Sequence, residues 1–239
     1  MTMSIARLSV RSGLKYLFKS TMLDDASLAP ADTISYYIKT GTPQGRWLGK
    51  GLQGIAREAG DKVTESDARS VFQDAVQPDS KEPLGRPNGQ PPISQEASHQ
   101  KATKHAVAGF DLTFSVPKSV STLWALSPRH LQEQVLQIHH EAVEATLGWM
   151  EEQVINTRSG RNGVAHVGTR GVIAAAFDHW ESRAGDPQLH THLVIANRVQ
   201  RITDGAWVTL DSRSLYKAVV AASEHYNGLL FDALQTGLG

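Results

Sequence analysis

The chain contains no cysteine among its 239 residues. Disulfide bonds, thiolate-held zinc and cysteine nucleophiles are therefore excluded, and the absence fits a reducing compartment. Long apolar runs are also missing: no segment approaches the roughly 18 apolar residues of a membrane-spanning helix. The N-terminus lacks the apolar centre of a signal peptide. We therefore expect a cytoplasmic protein that does not insert into a membrane.

An excess of charge of one sign is lacking too, because 24 Lys and Arg residues balance 24 Asp and Glu residues. Proteins that bind nucleic acid over a broad surface tend to be basic, so any such site here must be a local patch. The hydrophobic content of 40% is that of an ordinary globular protein. The length allows one large domain or two small ones.

Three histidines cluster within residues 177–197. His190 and His192 lie two apart in the strand-like run LHTHLVIAN, so both point to the same face of a sheet. His179 lies near the end of a second strand-like run, GVIAAAFDHW, and a Gly-Asp-Pro turn separates the two. A hairpin brings the three imidazoles together, with coordination positions left open as in catalytic metal sites. Imidazole suits Zn, Cu, Fe and Ni, whereas Mg and Mn prefer oxygen.

Other candidate catalytic residues lie before this hairpin. Asp111 interrupts the apolar strand predicted at residues 106–115, and a buried carboxylate requires a partner. A metal-binding histidine is a suitable partner, and the alternative is an Asp at a solvent-facing strand edge. Tyr16, Tyr36 and Tyr37 lie near basic residues in the N-terminal third, and tyrosine is among the residues that form covalent intermediates.

The order of predicted elements is strand, loops, strand, long helix, two hairpins and a final helix. This order predicts an α+β fold, in which an antiparallel sheet carries the metal site on one face and helices pack on the other. Ser127 is predicted to cap the long helix at residues 128–154, whose His139 and His140 we interpret as structural. The final helix is predicted to begin at Ser212 or Ser214. A Pro- and Gly-rich stretch, residues 77–104, is predicted to be a long flexible loop.

Two motifs resemble those of a known family. HWESRAGDPQLHTH resembles the three-histidine motif of MobF-type conjugative relaxases, the TrwC/TraI-like group of the HUH endonuclease superfamily. GFDLTFSVPKSVS resembles the second motif of these enzymes, including its Asp. The DGAWVTLDSRSLY stretch and the tyrosines before RWLGKG also occupy family positions, so the resemblance spans most of the chain. It implies a single relaxase domain over residues 1–239, with an HUH relaxase-like fold.

The resemblance implies a reaction. Relaxases nick one strand of single-stranded DNA at a plasmid transfer origin, where a tyrosine attacks the scissile phosphate. A covalent 5′-phosphotyrosyl intermediate and a free 3′ hydroxyl result, and the enzyme can rejoin the ends. By this resemblance Tyr16 is the nucleophile, whereas Tyr36 and Tyr37 serve a second strand transfer and are the fallback nucleophiles.

The resemblance also implies a divalent ion bound by His179, His190 and His192. Mg²⁺ or Mn²⁺ is the expected ion in use, and Zn²⁺ or Ni²⁺ is able to occupy the site. Asp111 orients one of the histidines and assists deprotonation of the tyrosine. The expected partners are single-stranded transfer-origin DNA and other relaxosome and conjugation proteins. The expected form is a monomer whose full-length chain continues into the rest of the domain and a helicase.

The sequence departs from the family pattern in the N-terminal region. Tyr16-Leu17-Phe18 stands where family members commonly have paired tyrosines, and the stretch from Tyr16 to Tyr36 is longer than expected. Residues 61–104 also form an expanded region. These departures bear on the identity of the nucleophile.

Contacts with DNA are expected from basic and aromatic side chains. Because the net charge is zero, nonspecific affinity should be modest and should fall steeply with salt. Tight binding then requires base recognition, with Trp47 as the residue expected to stack on a base. The expected phosphate contacts are Arg46, Lys50, Arg57, Lys118, Arg170 and Arg183.

Three alternatives remain open. A rolling-circle replication initiator shares the His-x-His sheet but has its tyrosine after the histidines, where Tyr216 and Tyr226 lie here. A non-haem iron oxygenase uses two histidines and a carboxylate such as Asp186. A non-catalytic DNA-binding module, in which the histidines are structural, predicts DNA binding that is indifferent to chelators.

Overall fold

A computed structural model describes residues 2–10, 43–87, 106–160, 163–182 and 184–238. The strands are β1 (Met3–Ser9), β2 (Arg46–Leu48), β3 (Val107–Ser115), β4 (Asn156–Ser159), β5 (Ala165–Glu181), β6 (Pro187–Arg201) and β7 (Trp207–Val208). The helices are α1 (Glu65–Ala68), α2 (Lys118–Leu126), α3 (Arg129–Gln153), α4 (Ser212–Lys217) and α5 (Val219–Leu238). A 3-10 turn covers Lys50–Ile55, and a π-helical turn at Arg69–Asp74 extends α1.

The strands of the described residues form one antiparallel sheet in the order β1-β3-β6-β5-β2, with β4 paired to β5 and β7 paired to β6. The long hairpin of β5 and β6 forms the middle of this sheet. β5 bulges near Gly171, whose φ of 93° favours glycine. A Cβ there would lie 2.6 Å from the Cβ of Lys50 and from Oε1 of Glu151. The bulge therefore lets the 3-10 turn approach the sheet closely.

Alternating side chains give the sheet two apolar faces. Leu193 and Ile195 of β6 belong to the larger core, which α2, α3 and α5 cover. Val194 and Ala196 point to the opposite face and join a smaller core with Phe72 of the π-helical turn. The predicted α+β architecture, with long helices on one face of an antiparallel sheet, is confirmed. Short helical turns cover part of the other face.

Helix ends depart from the sequence-based expectation at one point. Ser127 does not cap α3; its hydroxyl donates to the carbonyl of Leu123 at 2.7 Å, because Ser127 ends α2. Pro128 takes the N-cap position of α3 without a side-chain cap. The final helical region begins at Ser212 as predicted, and the carboxylate of Asp211 accepts from the N–H of Arg213.

The predicted loop at residues 77–104 lies only partly within the described residues. Its first part, up to residue 87, is a turn in which the N–H of Gln77 bonds the carbonyl of Glu82 at 2.8 Å. Leu84 of this turn is buried in the smaller core. Residues 88–104 lie outside the described residues, so flexibility there stays a prediction. In the part of the chain described, no helix has the length and apolar character to cross a membrane.

Candidate metal centre

The three histidines of the hairpin meet on the sheet face opposite α3. His179 of β5 lies directly across from His190 of β6, and His192 follows two residues later on the same face. One ring nitrogen from each lies within 4.8 Å of the other two, and all three side chains are half-buried. These distances allow one ion to contact all three rings after small side-chain adjustments. The predicted clustering of the histidines is therefore confirmed.

Two of the imidazoles are oriented by hydrogen bonds on the nitrogen away from the centre. Nδ1 of His190 donates to the carbonyl of Gln188 at 2.7 Å. Nδ1 of His192 lies 2.9 and 3.0 Å from the carboxylate oxygens of Asp111. Because carbonyl and carboxylate oxygens accept, both Nδ1 atoms carry the proton, and each Nε2 presents a lone pair. Asp111 thus lies where the sequence predicted, beside a histidine of the centre.

Burial favours the neutral imidazole at two of the three histidines, His179 and His190. Burial, reinforced by the proximity of His192 and His190, lowers the pKa of His179 to about 4. Burial also lowers the pKa of His190. Neutral imidazole is the form that binds a metal. Three clustered imidazole donors, two of them oriented by hydrogen bonds, therefore fit a divalent cation, and such donors suit transition metals better than Mg²⁺.

The opposite face of the hairpin carries a buried polar cluster that neither motif nor spacing singled out. Asp178 precedes His179 in sequence, so its carboxylate points to the helix side of the sheet, where the hydroxyl of Thr191 donates to it at 2.6 Å. Arg46 and His140 contact its other oxygen at 2.7 and 2.9 Å. The only sequence signal for this cluster was the position of Asp178 next to His179, because adjacent residues of a strand point to opposite faces of the sheet.

Trp47 does not support the expected stacking on a base. Its side chain is fully buried and stacks on Phe72, with ring centroids 6.2 Å apart. β2 pairs with β5 so that Trp47 lies opposite Ala175, inside the smaller core. The stacking expectation for Trp47 is therefore wrong. Its neighbour Arg46 is engaged internally with Asp178 and is only 19% exposed, which does not favour a phosphate contact.

The remaining basic residues of the expected DNA surface differ in their surroundings. Arg170 is exposed on β5. Lys50 pairs with Glu152, Lys118 with Asp186, and Arg57 with Asp67 and Asp79. The pairs of Lys50 and Lys118 are exposed, and such pairs contribute little energy, so both lysines remain open to a phosphate. Arg57 is held by two carboxylates with only 17% of its side chain exposed, which does not favour a phosphate contact. Arg183 lies outside the described residues, so its role stays a prediction.

The candidate tyrosines also differ: three lie outside the described residues, and the two that the structure describes differ in burial. Tyr16, Tyr36 and Tyr37 lie outside the described residues. Tyr226 is fully buried, and burial raises the pKa of its phenol far above the ordinary value, which disfavours the phenolate that a nucleophile requires. Tyr216 is 39% exposed and packs edge-on against Phe110.

The carboxylate that the oxygenase alternative requires is not at the centre. Asp186 lies half-buried in the hairpin turn and accepts hydrogen bonds from Lys118 and from the hydroxyl of Ser182. Across the described ranges, the one group of side chains with metal-binding geometry is the three histidines alone. The two-histidine, one-carboxylate pattern is therefore not met by Asp186.

An antiparallel sheet with three clustered histidines on one face and helices on the other defines an α+β fold of the HUH relaxase type. A family described as "TrwC relaxase" matches residues 11–239. The multifunctional conjugation protein TraI of Escherichia coli is 30% identical over 203 residues, which cover 84% of this chain. The chain spans only 10% of the length of that relative.

Solved structures agree with the family match. The copper-bound conjugative relaxase TrwC in complex with oriT DNA superposes with a TM-score of 0.72 at 29% identity, covering 98% of this chain and 70% of that chain. A metal-bound TrwC complex with oriT DNA gives a TM-score of 0.68 at 27% identity, covering 98% and 69%. The chain belongs to the TrwC relaxase family.

Proposed function

We propose that this chain is the DNA-nicking domain of a conjugative relaxase, which cleaves one strand of DNA at a plasmid transfer origin by metal-dependent transesterification. The observation that carries the proposal is the convergence of three histidines, one of them bonded to Asp111, on one sheet face of a TrwC-family chain. TrwC has been solved with DNA comprising its recognition hairpin and cleavage site, at 26% identity to this chain.

In the proposed reaction, the phenol oxygen of Tyr16 attacks the scissile phosphorus. One P–O bond forms to the tyrosine while the bond to the 3′ oxygen breaks, which leaves a 5′-phosphotyrosyl link and a 3′ hydroxyl. One phosphodiester replaces another, so the step is nearly energy-neutral and reversible. Tyr36 and Tyr37 are proposed for a second strand transfer, and either replaces Tyr16 if the altered tyrosine spacing has moved the nucleophile.

The three histidines are proposed to hold the divalent ion. Once bound, the ion supplies Lewis-acid polarisation of a phosphate oxygen, which favours attack by a phenol whose ordinary pKa is about 10. Asp111 holds the ring of His192 and makes its Nε2 a stronger donor. We propose that Asp111 also assists deprotonation of the tyrosine. Mg²⁺ or Mn²⁺ is proposed as the ion in use, with Zn²⁺ or Ni²⁺ able to occupy the site.

The substrate and partners follow from the same proposal. Single-stranded transfer-origin DNA contacts Arg170, Lys50, Lys118 and Arg183 through its phosphates. The domain acts as a monomer within a longer cytoplasmic bacterial protein that carries a helicase, together with other relaxosome and conjugation proteins. Burial of Tyr226 removes one of the two downstream tyrosines that a replication initiator would use, and leaves the partly exposed Tyr216 as its candidate nucleophile, which Tyr216→Phe tests.

The test uses oligonucleotides from the cognate transfer region, labelled on the 5′ or the 3′ side and incubated with Mg²⁺ or Mn²⁺. We expect the label on the 3′ side to shift onto the protein in denaturing gels. EDTA and Tyr16→Phe should each abolish the shift, whereas Tyr216→Phe, a matched change far along the sequence, should not. Cleavage with no protein adduct would instead indicate water as the nucleophile and overturn the mechanism.

A further inference from the structure

A buried chain of hydrogen bonds runs along the helix face of the sheet, directly behind the three histidines. Asp178 of β5 pairs across the hairpin with Thr191 of β6. Asp178 immediately precedes His179, and Thr191 lies between His190 and His192. The hydroxyl of Thr191 joins the two strands by donating to the carboxylate of Asp178 at 2.6 Å. This cross-strand bond lies at the level of the histidines, on the reverse side of the same backbone segments.

The donor and the acceptor of each hydrogen bond in this buried series are fixed. A carboxylate only accepts, so the single hydroxyl proton of Thr191 goes to Asp178. Nε2 of His139, 2.7 Å away, must then carry a proton and donate to Thr191. Nδ1 of His139 consequently accepts, and the phenol of Tyr226 donates to it at 2.7 Å. We call Asp178, Thr191, His139 and Tyr226 the helix-face network.

Burial keeps the network in this protonation state. The ring of His139 is fully buried, which lowers its pKa to about 3, so the imidazole is neutral. The carboxylate of Asp178 accepts hydrogen bonds from Thr191, Arg46 and His140. The network therefore has one arrangement near neutral pH.

The second oxygen of Asp178 anchors the network to further elements. Nη1 of Arg46, on β2, donates to it at 2.7 Å, and Nε2 of His140, on α3, lies at 2.9 Å. Asp178 thereby ties β5 to a neighbouring strand and to the long helix, as well as to β6. An anchor at this position has a use, because the pairing of β5 with β6 is irregular between His179 and Glu181. The bond between Asp178 and Thr191 joins the two strands immediately before this irregularity.

We infer that the helix-face network positions the three histidines from behind, and that Thr191 is the positioning residue on which it depends. The hydroxyl of Thr191 sets the separation of β5 and β6 at the residues that carry the imidazoles. Metal ligands must be held within about 0.5 Å of their required geometry. Groups that hydrogen-bond a metal ligand directly typically change metal affinity 10- to 100-fold when removed, and Thr191, which acts through the strand backbone, is expected at the lower end of this range. The inference rests on the metal centre proposed above.

The test compares Thr191→Val with Thr146→Val. Both threonines are fully buried and both hydroxyls donate a hydrogen bond, but Thr146 bonds the carbonyl of Ala142 within α3. Co²⁺ and Mn²⁺ would be titrated calorimetrically into the metal-free chain, and the visible spectrum of the Co²⁺ form recorded. We expect Thr191→Val to weaken binding about 10-fold and to alter the Co²⁺ spectrum. Thr146→Val should do neither, and Thr191→Ser should restore both.

The outcomes separate this inference from the proposed function. If the wild-type chain binds neither ion, or if His190→Ala binds as well as wild type, the metal centre itself is wrong. If wild type binds and Thr191→Val loses thermal stability as Thr146→Val does, with unchanged affinity and spectrum, only the inference is overturned. Should Thr191→Val fail to fold, Tyr226→Phe breaks the network at its far end. It should weaken binding several-fold, and unchanged binding would overturn the inference.

Discussion

Acidification should destabilise the fold through His139. The imidazole is neutral in the folded protein, with its pKa lowered by burial to about 3, whereas an unfolded histidine titrates near 6.5. Below pH 6.5 the unfolded state therefore binds a proton that the folded state does not. Stability contributed by the neutral ring is fully present above pH 6.5 and is lost progressively as the pH falls from about 6.5 toward 3.

The magnitude follows from the two pKa values. At pH 5 the unfolded imidazole is almost entirely protonated and the folded one almost entirely neutral. The linkage relation then gives a loss of about 2 kcal/mol in the free energy of unfolding between pH 7.5 and pH 5. A loss of this size is a large fraction of the roughly 5–15 kcal/mol that stabilises a typical domain.

The assay compares wild type with His139→Gln in urea unfolding at both pH values, with EDTA present to remove metal. A glutamine side chain can donate to Thr191 and accept from Tyr226, but it does not titrate. Other histidines with lowered pKa, including His179, titrate in both proteins and cancel in the difference. The stability of wild type relative to the variant should fall by about 2 kcal/mol from pH 7.5 to pH 5. An unchanged difference would refute the reasoning.

Further predictions concern the metal, the smaller core and the DNA surface. Asp111→Ala should weaken Mn²⁺ binding about 10- to 100-fold by calorimetry, because the ring of His192 loses its acceptor; wild-type affinity would contradict this role. Metal at 100 times its Kd should raise the free energy of unfolding by about 2.7 kcal/mol in thermal melts, and EDTA should reverse the gain; equal melting with and without metal would contradict binding. Trp47→Ala should cost about 3–5 kcal/mol in urea unfolding without lowering the DNA affinity of the folded fraction; a selective loss of DNA binding would restore the stacking role. Arg170→Ala should reduce the slope of log affinity for single-stranded DNA against log salt by about 0.7 and weaken all sequences alike; an unchanged slope would remove Arg170 from the phosphate contacts.

Local sequence patterns were sufficient for the hairpin and its histidines. The His-x-His spacing places His190 and His192 on one face of any strand, and the Gly-Asp-Pro turn determines where the chain reverses. The pairing of His179 with His190 then follows from the turn position. An apolar strand that contains Asp111 similarly indicated a buried carboxylate with a partner, and the structure places it against His192.

Features that depend on distant contacts could not be predicted from local pattern. Trp47 stands in a Gly-rich, basic stretch typical of a surface loop, and its burial depends on pairing with Ala175, far away in the chain. The bond between His139 and Tyr226 joins residues 87 apart, and neither neighbourhood signals the other. Ser127 matched a helix-cap pattern but ends the preceding helix, because two helices meet there with Pro128 between them.

The central claim is a covalent tyrosyl link to DNA formed at the three-histidine centre. The most direct measurement is mass spectrometry of the protein after reaction with transfer-origin single-stranded DNA and Mn²⁺, followed by nuclease and protease digestion. The account predicts a nucleotide attached through a 5′ phosphate to the peptide that contains Tyr16, absent with EDTA and absent in His190→Ala. A nucleotide on Tyr36 or Tyr37 would move the nucleophile within the same mechanism. Cleaved DNA with no modified tyrosine, or an adduct that persists in His190→Ala, would contradict it.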